Sequence, residues 1–200
     1  RARRIPFHTD AVQLPAMSAV DVSTLGADLV TLSAHKVHGP VGVGLLWIRP
    51  ETPWAGTQTG GSQERARRAG TENVAGAVGM ACAFRLAHTD AREAAARAMR
   101  QTGSLRSELI RRFSDRVRIN SPADGAPHIL SVSFRPVDGS PIDGEMLLLG
   151  LDLEGVQVSA GSACTSGTVR PSHVLTAMGI DPETAAASIR LDRKSTRLNS

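Results

Sequence analysis

Two hundred residues, 41% of them hydrophobic, suffice for one large or two small soluble domains. The formal charge of +4 becomes +1 without Arg193, Lys194 and Arg197 of the C-terminal tail, and only 3% of the residues are aromatic, a balance that argues against a nucleic-acid-binding surface. No apolar run reaches the roughly 20 residues of a membrane-spanning helix and no secretory signal opens the chain, while two widely spaced cysteines, Cys82 and Cys164, suit a reducing cytoplasm better than a disulfide framework.

Residues 5–13 read as a short strand running into a polar end. In an α/β sheet ligand groups gather at such ends, which makes Asp10 and Gln13 candidates, although an aspartate there is more often a turn former or helix cap. Residues 21–25 predict a helical turn, and residues 27–32 a second apolar strand that feeds Leu32-Ser33-Ala34-His35-Lys36-Val37-His38-Gly39-Pro40. The chain counts 23 basic residues, yet only Lys36 and Lys194 are lysines. Arginine supplies charge but stays protonated, whereas a lysine that loses its proton can attack a carbonyl and form a Schiff base. Lys36 is therefore the first candidate for chemistry. Residues 41–48 are almost continuously apolar and predict a third strand, buried on both faces.

Residues 56–73 are rich in glycine, and their freed backbone N–H groups, with Thr71 and nearby arginines, suit a phosphate. They lack the Gly-Lys-Ser/Thr ending of a P-loop, and a flexible surface loop has the same composition. Residues 74–113 predict two helices, with Asp90 and Glu93 spaced as a capping pair at the start of the second. Cys82, among Met80, Ala81, Ala83 and Phe84, reads as a core cysteine.

Strands are then predicted at 117–119 and 128–134. A helix follows with Ser140 as cap, Pro141 in its first turn and residues 146–151 as its apolar body. The change of texture near Asp90 marks a domain boundary. Residues 156–159 predict another strand, running into a loop where Cys164 lies between small and hydroxyl residues. That setting suits a mobile thiol that travels to a substrate, and equally a small apolar filler. Asp181-Pro182-Glu183 caps a last predicted helix reaching residues 188–191, on which Arg190 is either a surface charge or a fork for a carboxylate.

In this order, His8-Thr9-Asp10-Ala11-Val12-Gln13, Ser33 to Pro40, Gly60-Gly61-Ser62-Gln63-Glu64-Arg65 with Arg68-Ala69-Gly70-Thr71, and Gly161-Ser162-Ala163-Cys164-Thr165-Ser166 resemble the cysteine desulfurases of the class V aminotransferase group. The resemblance runs from about Phe7 to Leu191. It implies an α/β fold comprising the C-terminal half of the large domain of a pyridoxal-phosphate-dependent transferase of fold type I, and the smaller α+β C-terminal domain. The domains are expected at 1–90, a partial cofactor-binding domain with a linking helix, and at 91–192, with 193–200 a non-native tail.

The implied reaction converts L-cysteine to L-alanine and leaves a persulfide on Cys164, whose sulfur passes to an iron–sulfur scaffold or a thiolation enzyme. Lys36 would carry pyridoxal 5'-phosphate and move protons at the substrate. Asp10 would face the pyridine nitrogen, Gln13 the ring oxygen, and Ser33 and His35 the phosphate. Thr71 would reach a phosphate in the partner subunit of a homodimer, and Arg190 would clamp the substrate α-carboxylate. Neither metal, nucleic acid nor membrane is implied.

Two departures stand out. The family's N-terminal half is absent, with a histidine that stacks on the cofactor and an asparagine near the substrate, and the tail replaces a Ser/Gly-rich run and a closing helix. The fragment alone is expected to be inactive and, with open sheet edges, poorly soluble. Two alternatives differ in what they need from Cys164: a lyase acting on selenocysteine or a cysteine derivative, and a non-catalytic interaction piece presenting arginine-rich helices.

Overall fold

A computed structural model describes residues 5–160 and 171–192. Along the chain it divides into two compact units between Ala94 and Ala95.

The first unit holds a three-stranded sheet in the order β1 (His8–Asp10), β2 (Leu29–Ser33), β3 (Gly44–Ile48). β1 runs parallel to β2, and β3 antiparallel to it. Alternation along β2 sends Val30 and Leu32 into a core shared with Ala11, Ala27, Ala34 and Met80, and leaves Thr31 and Ser33 on the opposite face. β3 departs from expectation. Leu45 and Leu46 are 44% and 37% exposed, because β3 is an edge strand with β2 as its one neighbour in the sheet. Residues 21–25 form a turn, closed by Leu25 N–H donating to the Asp21 carbonyl.

After the short turn α1 (Gln63–Ala66) comes α2 (Val74–Phe113), one helix of 40 residues where two were predicted. It contains no proline and is rich in alanine, so no backbone feature stops it. Asp90 lies exposed in its middle, and the hydroxyl of the preceding Thr89 bonds back to the Arg85 carbonyl at 3.1 Å instead of starting a new helix. The buried stripe runs through Gly76, Met80, Ala83 and Ala91. Cys82 falls off that stripe, so the expected core cysteine is exposed, with Arg85 Nη2 3.8 Å from its sulfur.

The second unit holds an antiparallel sheet in the order β4 (Val117–Ile119), β5 (Ile129–Phe134), β6 (Ser188–Asp192). Val117, Leu130, Val132 and Ile189 form its core, with Leu147, Leu148 and Leu151 of α3 (Gly144–Leu153) packed against them. Two short helices follow, α4 (His173–Ala177) and α5 (Pro182–Ala186). The opposite face of this sheet is polar: Asn120 Nδ2 donates to Ser133 Oγ at 2.7 Å, and Ser133 and Ser188 share a hydrogen bond of 2.6 Å.

Three local expectations change here. The cap of α3 is Asp143, whose Oδ1 accepts from the amides of Glu145 and Met146, while Ser140 closes a turn with Val137. The predicted strand at 156–159 reduces to one bridge between Ser159 and Arg190. The last predicted helix ends at Ala186, although Asp181 caps it as expected by accepting from Thr184 N at 2.8 Å. Residues 188–192 instead pair with β5, because Ile189 and Leu191 alternate into the core cluster as a strand does. The mixed α/β sheet followed by an α+β unit is the class expected from the sequence.

Candidate active site

Parallel pairing brings the C-terminal ends of β1 and β2 to the same edge of the sheet, where open α/β sheets bind ligands. Asp10 pairs with Thr31, two residues before Ser33 ends β2. The chain then tightens into a 3-10 turn, Ala34–Val37, because Ala34 and Val37 are both buried and must reach the core three residues apart. His35 and Lys36 lie between these anchors and remain half-buried. Gln13 immediately precedes a second 3-10 turn, Leu14–Ala16, which lies beside the first. Asp10, Gln13, Ser33, His35 and Lys36 therefore gather at one end of one sheet.

Within this cluster Ser33 Oγ is 2.8 Å from His35 Nδ1, which joins a hydroxyl and an imidazole into one polar pair. Asp10 is exposed and uses Oδ1 to accept from Val12 N at 3.0 Å, the turn-forming role an aspartate commonly takes at a strand end. A further pair was not singled out from the sequence. His8 Nε2 lies 2.7 Å from Thr31 Oγ1, on the face of the sheet that Asp10 and Ser33 share by register. The period-two spacing of His8 with Asp10, and of Thr31 with Ser33, was the signal for it.

The lysine turn rests on α2. Gly39 N donates to the Ala34 carbonyl at 2.9 Å after His38 takes a left-handed conformation with φ 63°. A Cβ on Gly39 would lie 3.0 Å from both Ala34 Cβ and Ala83 Cβ. Pro40 and Val43 come as close to Gly79 and Gly76, at 2.7 Å from the position a Cβ would take on each. Small residues at 76, 79 and 83 on one helix face thus allow the turn after Lys36 to lie against the helix.

The remaining candidates are carried elsewhere. Thr71 is exposed on the loop before α2. Arg190 belongs to the second unit, on the polar face of its sheet, opposite Ser131 and with Nη2 3.8 Å from Asp192 Oδ2. Cys164 lies outside the described residues. Among the described residues no cluster of His, Cys, Asp and Glu suits a metal, and no helix is long and apolar enough to cross a membrane. The donor set at the end of the first sheet fits pyridoxal phosphate. It offers a carboxylate for a protonated ring nitrogen, an amide for a ring oxygen, a hydroxyl and imidazole for a phosphate, and an amine for an aldehyde.

The family model for class-V aminotransferases matches residues 1–197. A cysteine desulfurase IscS of Dictyoglomus turgidum is 46% identical over 187 residues, which cover 93% of this chain and 46% of that protein. Among solved structures, a NifS-like protein superimposes with a TM-score of 0.78 at 35% identity, over 96% of this chain and 48% of the other. SspA in complex with cysteine gives a TM-score of 0.70 at 27% identity, over 98% and 52%. The chain spans about half the length of the curated relatives it matches.

Proposed function

The chain belongs to the class-V aminotransferase family, and from that membership we propose that it forms the lysine-bearing and sulfur-carrying part of a cysteine desulfurase that uses pyridoxal phosphate. The overall reaction takes L-cysteine and the Cys164 thiol to L-alanine and a Cys164 persulfide. The reading is carried by one observation: Lys36 stands on a turn at the end of two parallel strands, beside Asp10, Gln13 and the Ser33–His35 pair. The cysteine desulfurase name of the relative at 46% identity supports it.

When bound, pyridoxal phosphate supplies an aldehyde and a ring that stabilises negative charge at the substrate Cα. Lys36 Nζ would hold the group at its aldehyde and, as a free amine, would take the proton from the substrate Cα. The Asp10 carboxylate would keep the ring nitrogen protonated, Gln13 would orient the ring through its oxygen, and Ser33 with His35 would hold the phosphate. Thr71 holds a phosphate in the partner subunit, so the working unit is a homodimer. Arg190 clamps the α-carboxylate with its two-pronged donor set. The Cys164 thiolate attacks the substrate sulfur, the carbon–sulfur bond breaks, and a proton at the released carbon completes alanine. The persulfide then passes its outer sulfur to an acceptor protein of iron–sulfur assembly or thiolation, in a reducing cytoplasmic compartment.

A chain of the relatives' full length carrying this segment tests the reading directly. Incubation with L-cysteine is expected to yield alanine in step with sulfur on an acceptor. Lys36→Ala should remove the visible absorption of lysine-bound cofactor, and Cys164→Ala should keep that absorption but lose sulfur transfer. Full transfer by Cys164→Ala would refute the persulfide role.

A further inference from the structure

The loop that carries Thr71 is tied to itself at successive points. Gly56 approaches Arg67 so closely that an added Cβ would lie 2.5 Å from the Arg67 carbonyl oxygen. Ala69 N donates to the Gln58 carbonyl at 3.2 Å. The last ties converge on a single residue, Gly70. Its N–H donates to Gln63 Oε1 at 3.2 Å, and its carbonyl accepts from Arg68 Nη1 at 3.2 Å. The same Arg68 nitrogen donates to the Thr71 carbonyl at 3.3 Å.

Gly70 has φ +100°, a region that side-chain-bearing residues rarely enter, so the local chain does little to fix the direction of its peptide. What fixes it is the grip from both sides. Gln63 passes close to Gly61 on its way to Gly70: a Cβ there would lie 2.4 Å from Gln63 Oε1, so the amide would have to move. Arg68 spends its donors on two consecutive backbone carbonyls, although it is exposed and could point to water.

We propose that Arg68, backed by Gln63, is a positioning residue that clamps the Gly70–Thr71 peptides so that Thr71 meets a phosphate in one fixed orientation. The inference rests on the reading of Thr71 as a phosphate ligand. It assigns Arg68 a role through the backbone, in contrast to a simple positive charge attracting the anion. A clamp and a charge differ in what they act through: a clamp holds the Gly70–Thr71 backbone and has no effect on the anion once the Thr71 hydroxyl is gone, whereas a charge attracts the anion with or without it.

The test uses a chain of the relatives' full length carrying this segment, titrated with pyridoxal phosphate by absorbance. Thr71→Ala and Arg68→Gln are each expected to weaken cofactor affinity about tenfold, and the double variant to fall no more than about twofold below the weaker single. In the cofactor-free protein, Arg68→Gln and Gly61→Ala should both speed hydrogen exchange at the Gly70 amide, a readout that does not depend on activity. Full additivity, about a hundredfold loss in the double variant, would overturn the clamp. So would unchanged exchange at the Gly70 amide in Arg68→Gln. Unchanged affinity in Thr71→Ala would instead remove the phosphate role of Thr71 itself, and the clamp's purpose with it.

Discussion

Arg49 holds a buried carboxylate at the root of the sheet that carries Lys36, and losing the arginine should cost more than losing the carboxylate's charge. The Asp28 side chain is 10% exposed; Oδ2 accepts from Phe7 N at 3.0 Å and Oδ1 lies 3.2 Å from Arg49 Nε. That second approach is a charge contact and not an aligned hydrogen bond. Arg49 also donates from Nη2 to the Ala27 carbonyl at 2.8 Å and lies 5.4 Å from the Trp47 ring centre. In Arg49→Met the carboxylate keeps its bond from Phe7 but loses its cation. Breaking a dry ion pair from one side costs about 3–5 kcal/mol; because the Arg49 side chain is 34% exposed, water screens the pair and the expected loss is about 2–3 kcal/mol. Asp28→Asn keeps an acceptor for Phe7 N and lets Arg49 turn to water, so about 1 kcal/mol is expected. With both changes no buried charge is stranded, and the double variant should be about 1–2 kcal/mol more stable than additivity predicts. Urea midpoints read this directly, since a slope of about 1–3 kcal/mol per molar turns the Arg49→Met loss into a shift near ~1 M. Additive losses, or a larger loss in Asp28→Asn than in Arg49→Met, would refute the reasoning.

Three further outcomes are expected. His128 is 8% exposed, and burial lowers its pKa below the ordinary 6.5 despite the opposing charge of Asp192. The unfolded chain then takes up the proton first, so stability should be level above pH 6.5 and fall as pH drops from 6.5 through the lowered native value. Urea midpoints in His128→Gln should lack this slope. Gly39→Ala puts a Cβ 3.0 Å from the Ala34 carbonyl oxygen and from two Cβ atoms, none of which can swing away. It should cost about 1–3 kcal/mol and lower cofactor content per chain measured by absorbance. Gly103→Ala, in open space on α2, should instead stabilise the helix by about 0.5–1 kcal/mol in the same melts.

β2 and β5 were legible as short runs rich in apolar residues, and the structure places strands at Leu29–Ser33 and Ile129–Phe134. Where the reading failed, a local signal met a stronger neighbour. Asp90 and Glu93 have the spacing of a helix start, but the flanking alanine-rich run has no reason to stop, and the continuous helix keeps every backbone bond that a break would lose. Cys82 was judged by its apolar neighbours in sequence, whereas on a helix its partners are three and four residues away. With Gly76, Met80 and Ala83 facing in, position 82 faces out. At residues 188–191 both periods fit so short a run, and pairing with β5 decided for a strand.

The site shows the same division between what is near in sequence and what is near in space. Lys36 stood out from composition, and Ser33 and His35 came with it because a strand that ends in a tight turn presents its last residues together. That Asp10 arrives at the same edge depends on parallel pairing across 18 intervening residues, from Asp10 to Leu29, and no local pattern encodes it. Least visible was the contribution of α2. Helix propensity alone favours alanine over glycine by about 1 kcal/mol at each interior position, so Gly76 and Gly79 are costly for the helix itself. Their value lies in the approach of Val43 and Pro40, where any Cβ would clash at 2.7 Å. With no Cβ at positions 76 and 79, the helix puts no side chain of its own between its backbone and the turn. The seat of the turn that carries Lys36 is therefore set by a helix some 40 residues further along the chain, through two glycines that weaken that helix on their own.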